Sequence, residues 1–367
     1  MLTIDYPAII SYQFQSLERM FMSANRRQTT VAVVAVVLVG VLYFCIRPVP
    51  VEADSGFRPV MGTFARVVCV APDANAAKTC IKAAIAEIHK VDGLMSDYKD
   101  DSEISVVNRD AFGRAISVSR PTFEVLQKAV EFSRLSGGAF DITIGPLVDL
   151  WRAAGDANRP PTKAELLAAR ARVGPDKLIL DANNLSVRFL VEKMRLDLGG
   201  IAKGYAIDRA AEAMIENGAT GGMVDVGGDI RCFGSPADGR DLWRIGLQDP
   251  NYARDGSGPG KPLLVLKLGD VAVATSGGYR RFALVEGKRH SHIIDTRTGQ
   301  SSERLISVTI IAPDAVTADA LATAVSVLGA EKGLELVEKL PQTEAIIIPS
   351  DEVETLVKTA GAEAYIK

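Results

Sequence analysis

The sequence predicts an α+β fold, with mixed or antiparallel sheets packed against helices, preceded by one N-terminal transmembrane helix. Three observations carry this. Stretches with apolar residues at helical spacing are mixed with valine-rich stretches of period two, without a strict strand-helix-strand repeat. Several helical stretches open on proline and close on glycine, which marks their ends. Residues 29–46, TTVAVVAVVLVGVLYFCI, carry no charge and are apolar on every face; this lies near the lower end of the roughly 17 to 25 residues that cross a bilayer as a helix.

In chain order, the reading is a cytoplasmic tail (1–28), a membrane anchor or signal peptide (29–47), a linker rich in proline and small residues (48–57) and one folded domain (58–367). Arg26 and Arg27 before the apolar run keep the N-terminus inside. The domain is then expected in the periplasm, held on the inner membrane. An uncleaved anchor is favoured, because no small-x-small cleavage site stands out and bulky aromatics precede Cys45. Met22 is an alternative start.

Within the domain, PVMGTFARVVCVA (59–71) alternates and reads as a strand, and 75–96 as a helix. Helices follow at 121–138, 160–174 and 201–218, then a glycine-bracketed strand at 221–234. Strands and turns fill 262–287 and 306–313, a long helix covers 317–340, and EAIIIPS with ETLVKTAGAEAY ends the chain. The segment DPNYARDGSGPGKP is a surface loop by composition.

A net charge of -3 gives no basic footprint, so no nucleic-acid partner is expected. The four cysteines lack metal-cluster spacing. Cys69 and Cys80 are either a pair bridging a strand and a helix in an oxidising compartment or two buried thiols.

Four stretches carry candidate chemistry. In TADALAT, Asp319 and Thr323 share one helical face and offer oxygens to a hard cation; equally, Thr317 caps the helix while Thr323 packs. In RHSHIIDTRTG, His292 is a candidate general base with Asp295 to orient it, or both histidines face solvent on a hairpin. SGGAFDITIGPLVDLW offers close backbone approach at Gly137-Gly138, a stacking ring at Phe140 and an acceptor at Asp141; the glycines also suffice to stop a helix. MRLDLGGIAKGYAID crowds Asp197, Gly199, Gly200 and Lys203 before a helix, without the glycine spacing of nucleotide-binding loops.

These runs occur in order with MGTFARV, YKDDSEISVVN, VDVGGDIRCFG and VATSGGYRRF, and the series resembles the ApbE family of FAD:protein FMN transferases from about Val60 onward. The resemblance implies magnesium-dependent cleavage of FAD, transfer of its FMN half to a threonine hydroxyl of a partner flavoprotein, and release of AMP. It places Met61, Tyr98, Ala139, Phe140, Asp141, Asp197, Lys203 and Ile293 against FAD, and gives Mg2+ the Gly200 carbonyl, Asp319 and Thr323. His292, assisted by Asp295, is the chosen base. Flavin-carrying subunits of respiratory complexes are the expected acceptors. An FAD pyrophosphatase and a non-catalytic membrane-anchored flavin-binding protein are the alternatives. Thr296 stands where the family commonly has proline, which is expected to loosen that turn. Ala322 stands where some members offer a second acid.

Overall fold

The computed structural model describes residues 31, 35, 49–250, 262–278, 282–350 and 355–366. It divides into a unit Met1–Val49 and a compact unit Pro50–Lys367. The expected membrane segment falls almost wholly outside the described residues. Among the described residues no helix is long and apolar enough to cross a membrane.

The compact unit is built on a nine-stranded sheet whose named pairs are all antiparallel. Its strands are β1 (Val51–Asp54), β2 (Arg58–Val60), β3 (Thr63–Ala71), β7 (Gly221–Val226), β8 (Asp229–Gly234), β11 (Ala272–Ser276), β14 (Leu305–Ala312), β15 (Glu344–Pro349) and β16 (Val357–Lys358). Strand β1 corrects the linker expected at 48–57, since Val51 to Asp54 pair with Ala71 to Val68. Four residues alternating with acids carry no strand signal alone; the open edge of β3 supplies the partner.

On β3, Val67, Cys69 and Ala71 face helices α1 (Ala74–Met95) and α6 (Ala202–Glu216), sharing a core with Ile81, Ile88, Ile207 and Met214. Val68 and Val70 face the opposite way, against Trp243 of β9 (Trp243–Leu247) and Leu266 and Leu268 of β10 (Leu264–Leu268). The sheet is therefore buried on both faces. That accounts for unbroken apolar runs such as RVVCVA, where one-sided burial would show polar alternation. Cys69 and Cys80 are free and fully buried in the α1–β3 packing. Burial and the neighbouring Cys80 thiol push the Cys69 thiol up to about 12.

A smaller layer holds α2 (Glu103–Asp110), β4 (Ile116–Ser117), α3 (Arg120–Leu135), α4 (Gly145–Asp156), α5 (Lys163–Arg170), β5 (Leu178–Asp181) and β6 (Ser186–Phe189). A hairpin of β12 (Phe282–Val285) and β13 (Lys288–Ser291) completes the strands. The single strand expected at 221–234 is a hairpin. Gly227 and Gly228, at φ 67° and 91°, form the two-residue turn that β-carbon-bearing residues resist. The single helix expected at 317–340 is two, α7 (Ala315–Leu328) and α8 (Ala330–Val337), broken at Gly329 with φ 86°.

Helices α6 and α7 are locked together by Asp208. Its carboxylate accepts the Ala315 and Val316 amides at 2.9 Å each, serving the α7 N-terminus from another helix, and pairs with Arg231 at 2.7 Å. Gly204 permits the close crossing, because a Cβ there would fall 2.3 Å from the Ala315 carbonyl oxygen. Burial pushes the Asp208 carboxyl up to about 6, against the pull of Arg231 and the two amides. The folded protein therefore holds this proton more tightly than the unfolded chain, so stability from this group is lost as pH rises from about 4 to 6. Urea titrations across that range should show wild type losing on the order of 3 kcal/mol relative to Asp208→Asn. A constant difference would assign the group an ordinary carboxylate pKa.

Candidate active site

Lys203, Asp319, Gly200, Thr323 and Phe140 among the candidate residues meet where α6 starts against α7, whereas Tyr98, His292 and Asp295 lie in other loops. Lys203, in the first turn of α6, directs its ammonium at two buried carboxylates. It is 2.9 Å from Asp319 Oδ1 and forms a short ion pair with Asp229. The other Asp319 oxygen accepts the Gly204 amide at 3.0 Å, and Asp229 Oδ1 accepts the Thr275 amide at 3.0 Å. Burial opposes the Lys203 charge, but the two carboxylates raise its pKa above that of an ordinary lysine. Burial also pushes Asp319 up, countered by Lys203.

Asp229 was not among the residues singled out in the sequence. Its signal lay in VDVGGDI, where an acid directly follows the glycine turn, at a position that β8 turns toward the helices.

Gly200 lies against the same place. A Cβ on it would come within 2.9 Å of Thr323 Oγ1 and 3.3 Å of the Phe140 ring. The absent side chain thus lets the Gly199-Gly200 turn pack closely against Thr323 of α7. Asp319, Thr323 and the Gly200 carbonyl are oxygen donors with a single carboxylate among them, the donor types a hard cation takes, and the two Asp319 oxygens accept from Lys203 and the Gly204 amide. Among the described residues no group of three or more His, Cys, Asp or Glu is placed to hold a metal. The cap of α7 is Asp314, which accepts the Thr317 amide at 2.8 Å, so Thr317 is not the capping residue.

Phe140 is buried edge-on to Phe132, with ring centroids 6.3 Å apart, and its rim reaches Gly200. The Asp141 carboxylate accepts the Thr143 amide and hydroxyl, both at 2.8 Å, and burial pushes it up. As placed, both side chains shape the loop from within. Ala139 and Ile293 are buried in one small cluster with Val327, bringing the SGGAFD and HIIDTRTG stretches together.

Met61 occupies a two-residue turn between β2 and β3 with Gly62, at φ 51° and 66°. The Gly227 amide donates to the Phe64 carbonyl at 2.9 Å, so this turn and the one before Asp229 lie side by side. Burial raises the Asp197 carboxyl, while its Oδ1 accepts the Gly199 amide at 2.8 Å. Tyr98 is 77% exposed and therefore not a core residue; its ring lies 5.9 Å from the Arg152 guanidinium.

His292 follows β13 and is exposed. Its neighbour in the motif, His290, is half-buried and stacks on Trp151 at 4.9 Å, so the two histidines do not share a solvent-facing role. The Asp295 carboxylate is taken up by Arg297, with Nε and Nη2 at 2.8 Å and the amide at 2.9 Å. Arg297 outweighs burial and lowers the Asp295 pKa. This carboxylate organises its own turn, which weakens the expectation that it orients His292. The Thr296 hydroxyl donates to the Gly138 carbonyl. The expectation of a loosened turn is therefore corrected, because threonine supplies a tie to the Gly137-Gly138 loop that proline lacks.

This grouping, a buried lysine between two carboxylates beside a glycine turn, lies on an antiparallel sheet packed against helices. Residues 61–347 match the ApbE family, and the chain belongs to that family. The FAD:protein FMN transferase of Vibrio cholerae is 34% identical over 313 residues, covering 84% of this chain and 90% of the relative. That of Haemophilus influenzae is 36% identical over 273 residues, 72% of this chain and 77% of the relative. Among solved structures, the flavin transferase ApbE from Vibrio cholerae matches with a TM-score of 0.73 and 31% identity, over 86% of this chain and 99% of its own. The ApbE protein from Thermotoga maritima matches with a TM-score of 0.76 and 30% identity, over 87% and 99%.

Proposed function

We propose that the chain is an FAD:protein FMN transferase that moves the FMN half of FAD to a threonine hydroxyl of a partner flavoprotein and releases AMP. The observation that carries the reading is the buried Lys203–Asp229–Asp319 arrangement beside the Gly200–Thr323 contact. The family match and the names of the relatives support the same activity.

In this reading the acceptor hydroxyl attacks the phosphorus next to riboflavin. The bond from that phosphorus to the bridging oxygen breaks, and AMP leaves with the oxygen. The hydroxyl proton passes to His292, whose exposed position suits a group that must meet a second protein. Asp319, Thr323 and the Gly200 carbonyl would hold Mg2+, which when bound neutralises charge on the diphosphate. Lys203 keeps Asp319 ionised and oriented, and Asp229 keeps Lys203 in place. The turns of Met61, Ala139-Phe140-Asp141, Asp197 and Ile293, with Tyr98, would enclose the flavin nucleotide.

Incubation with FAD, Mg2+ and a purified flavin-carrying domain of a respiratory subunit should add the mass of FMN to that domain, with AMP released in equal amount. Rapid AMP release without attached flavin would make the chain an FAD pyrophosphatase instead. The uncharged run 29–46 and the preceding arginines support an inner-membrane anchor with the domain in the periplasm. A reporter fused after Lys367 should then be active outside the cytoplasm; activity confined to the cytoplasm would overturn the placement.

A further inference from the structure

Two sets of charges join α6, α7 and β8, and only the first belongs to the transfer scheme. In the first, Lys203 of α6 stands between Asp229 of β8 and Asp319 of α7. In the second, the Asp208 carboxylate of α6 pairs with Arg231 of β8 at 2.7 Å and accepts the Ala315 and Val316 amides of α7 at 2.9 Å each. The signs reverse between them, since α6 supplies a cation and then an anion, and β8 an anion and then a cation.

The two sets are spaced alike on all three elements. Asp208 lies one turn after Gly204, and Asp319 one turn after Ala315, about 6 Å along a helix. Asp229 and Arg231 are two residues apart, about 7 Å along a strand, and share the face of β8 turned to the helices. Ile230 and Cys232 lie on the other face, with Trp243 and Leu266. Between the two sets the helix backbones touch. A Cβ on Gly204 would fall 2.3 Å from the Ala315 carbonyl oxygen and 2.7 Å from the Val316 Cα. The place of the α7 N-terminus along α6 therefore sets where Asp319 meets Lys203 and the Gly204 amide.

At neutral pH the Asp208 charge is carried at a cost, because burial pushes its carboxyl up to about 6 against the pull of Arg231 and the two amides. Nor is it the cap of α7, which is Asp314. Both helices are rich in buried alanine, such as Ala206 and Ala210 on α6 and Ala318 and Ala322 on α7, and short side chains interlock weakly. What Asp208 adds is a directed tie that stops one helix sliding on the other.

We propose that Asp208 and Arg231 are positioning residues that fix the register of α7 against α6 and so set Asp319 for the cation. This rests on the Mg2+ assignment within the transferase reading. Both residues act through Asp319.

The test measures Mg2+ binding by calorimetry, with and without FAD, and FAD binding without metal. It compares wild type, Asp208→Asn, Arg231→Met, Arg231→Lys and Ile88→Ala. Asparagine offers one oxygen to two amides and turns an N–H toward the other, so α7 shifts. The dissociation constant for Mg2+ should then rise about tenfold, as when a metal ligand loses an outer partner. Arg231→Met should give a similar rise, which Arg231→Lys should largely reverse by restoring the charge. Metal-free FAD binding should be unchanged. Ile88 is buried in the core shared by α1 and α6, away from both charge sets. Its variant should melt earlier yet bind Mg2+ as wild type does, which separates register from general loosening. If Asp208→Asn does not fold, the two Arg231 variants carry the test. Unchanged Mg2+ binding in Asp208→Asn or Arg231→Met, or an equal loss in Ile88→Ala, would overturn the proposal and leave the transferase reading standing. Wild type that attaches flavin yet binds no Mg2+ under either condition would overturn the metal assignment and the proposal together.

Discussion

Replacing Asp319 with alanine should reduce flavin transfer by a factor on the order of 100 or more, since the diphosphate then loses several kcal/mol of charge neutralisation. FAD affinity measured without metal should fall far less, because the expected flavin contacts lie in other loops. The substitution also removes the acceptor of the Gly204 amide and one of two anions on Lys203. A stability loss of about 1–3 kcal/mol is therefore expected alongside. Asp319→Asn separates the two effects. It keeps an oxygen for Gly204 and most of the shape but also removes an anion from Lys203 and offers the cation no charge, so it should recover only part of the stability lost in Asp319→Ala while remaining impaired in transfer. Magnesium titration followed by AMP release and by tryptophan fluorescence checks this, and a fully active Asp319→Asn would remove the carboxylate from the metal assignment.

Replacing His292 with alanine should slow transfer by roughly 100 to 10000-fold, the range a positioned general base contributes. FAD binding should persist. The residue is exposed, and surface substitutions usually change stability by no more than about 0.5 kcal/mol, so the loss would be chemical rather than structural. The rate should partly recover at high pH, where hydroxide takes the proton. Asp295→Asn offers a sharper contrast. Because that carboxylate is engaged by Arg297, its replacement should disturb the turn and the fit of Ile293, raising the KM for FAD more than it lowers kcat. Normal transfer by His292→Ala at neutral pH would assign the proton to another group.

The sequence by itself determined the α+β class, most helix positions and the family, because these rest on periodicity, end signals and ordered motifs that each lie within a few residues. Helix α1 was legible from its apolar spacing, and α3 from Pro121 and Gly137. It also determined that Asp319 and Thr323 share a face, since helical geometry settles that without any partner. Long-range pairing decided the rest. Strand β1 exists because β3 has an edge to offer, and the break at Gly329 because a glycine there adopts a left-handed turn within an otherwise continuous helical pattern. Tertiary structure alone revealed Asp229 as the second anion on Lys203, 26 residues away in sequence, and Asp208 as the shared acceptor of the Ala315 and Val316 amides. It likewise turned Asp295 toward Arg297 and Thr296 toward Gly138. Motifs record which residue types a site contains, but a charge acquires its partner only when chain segments far apart in sequence are packed together and the desolvated group must be compensated.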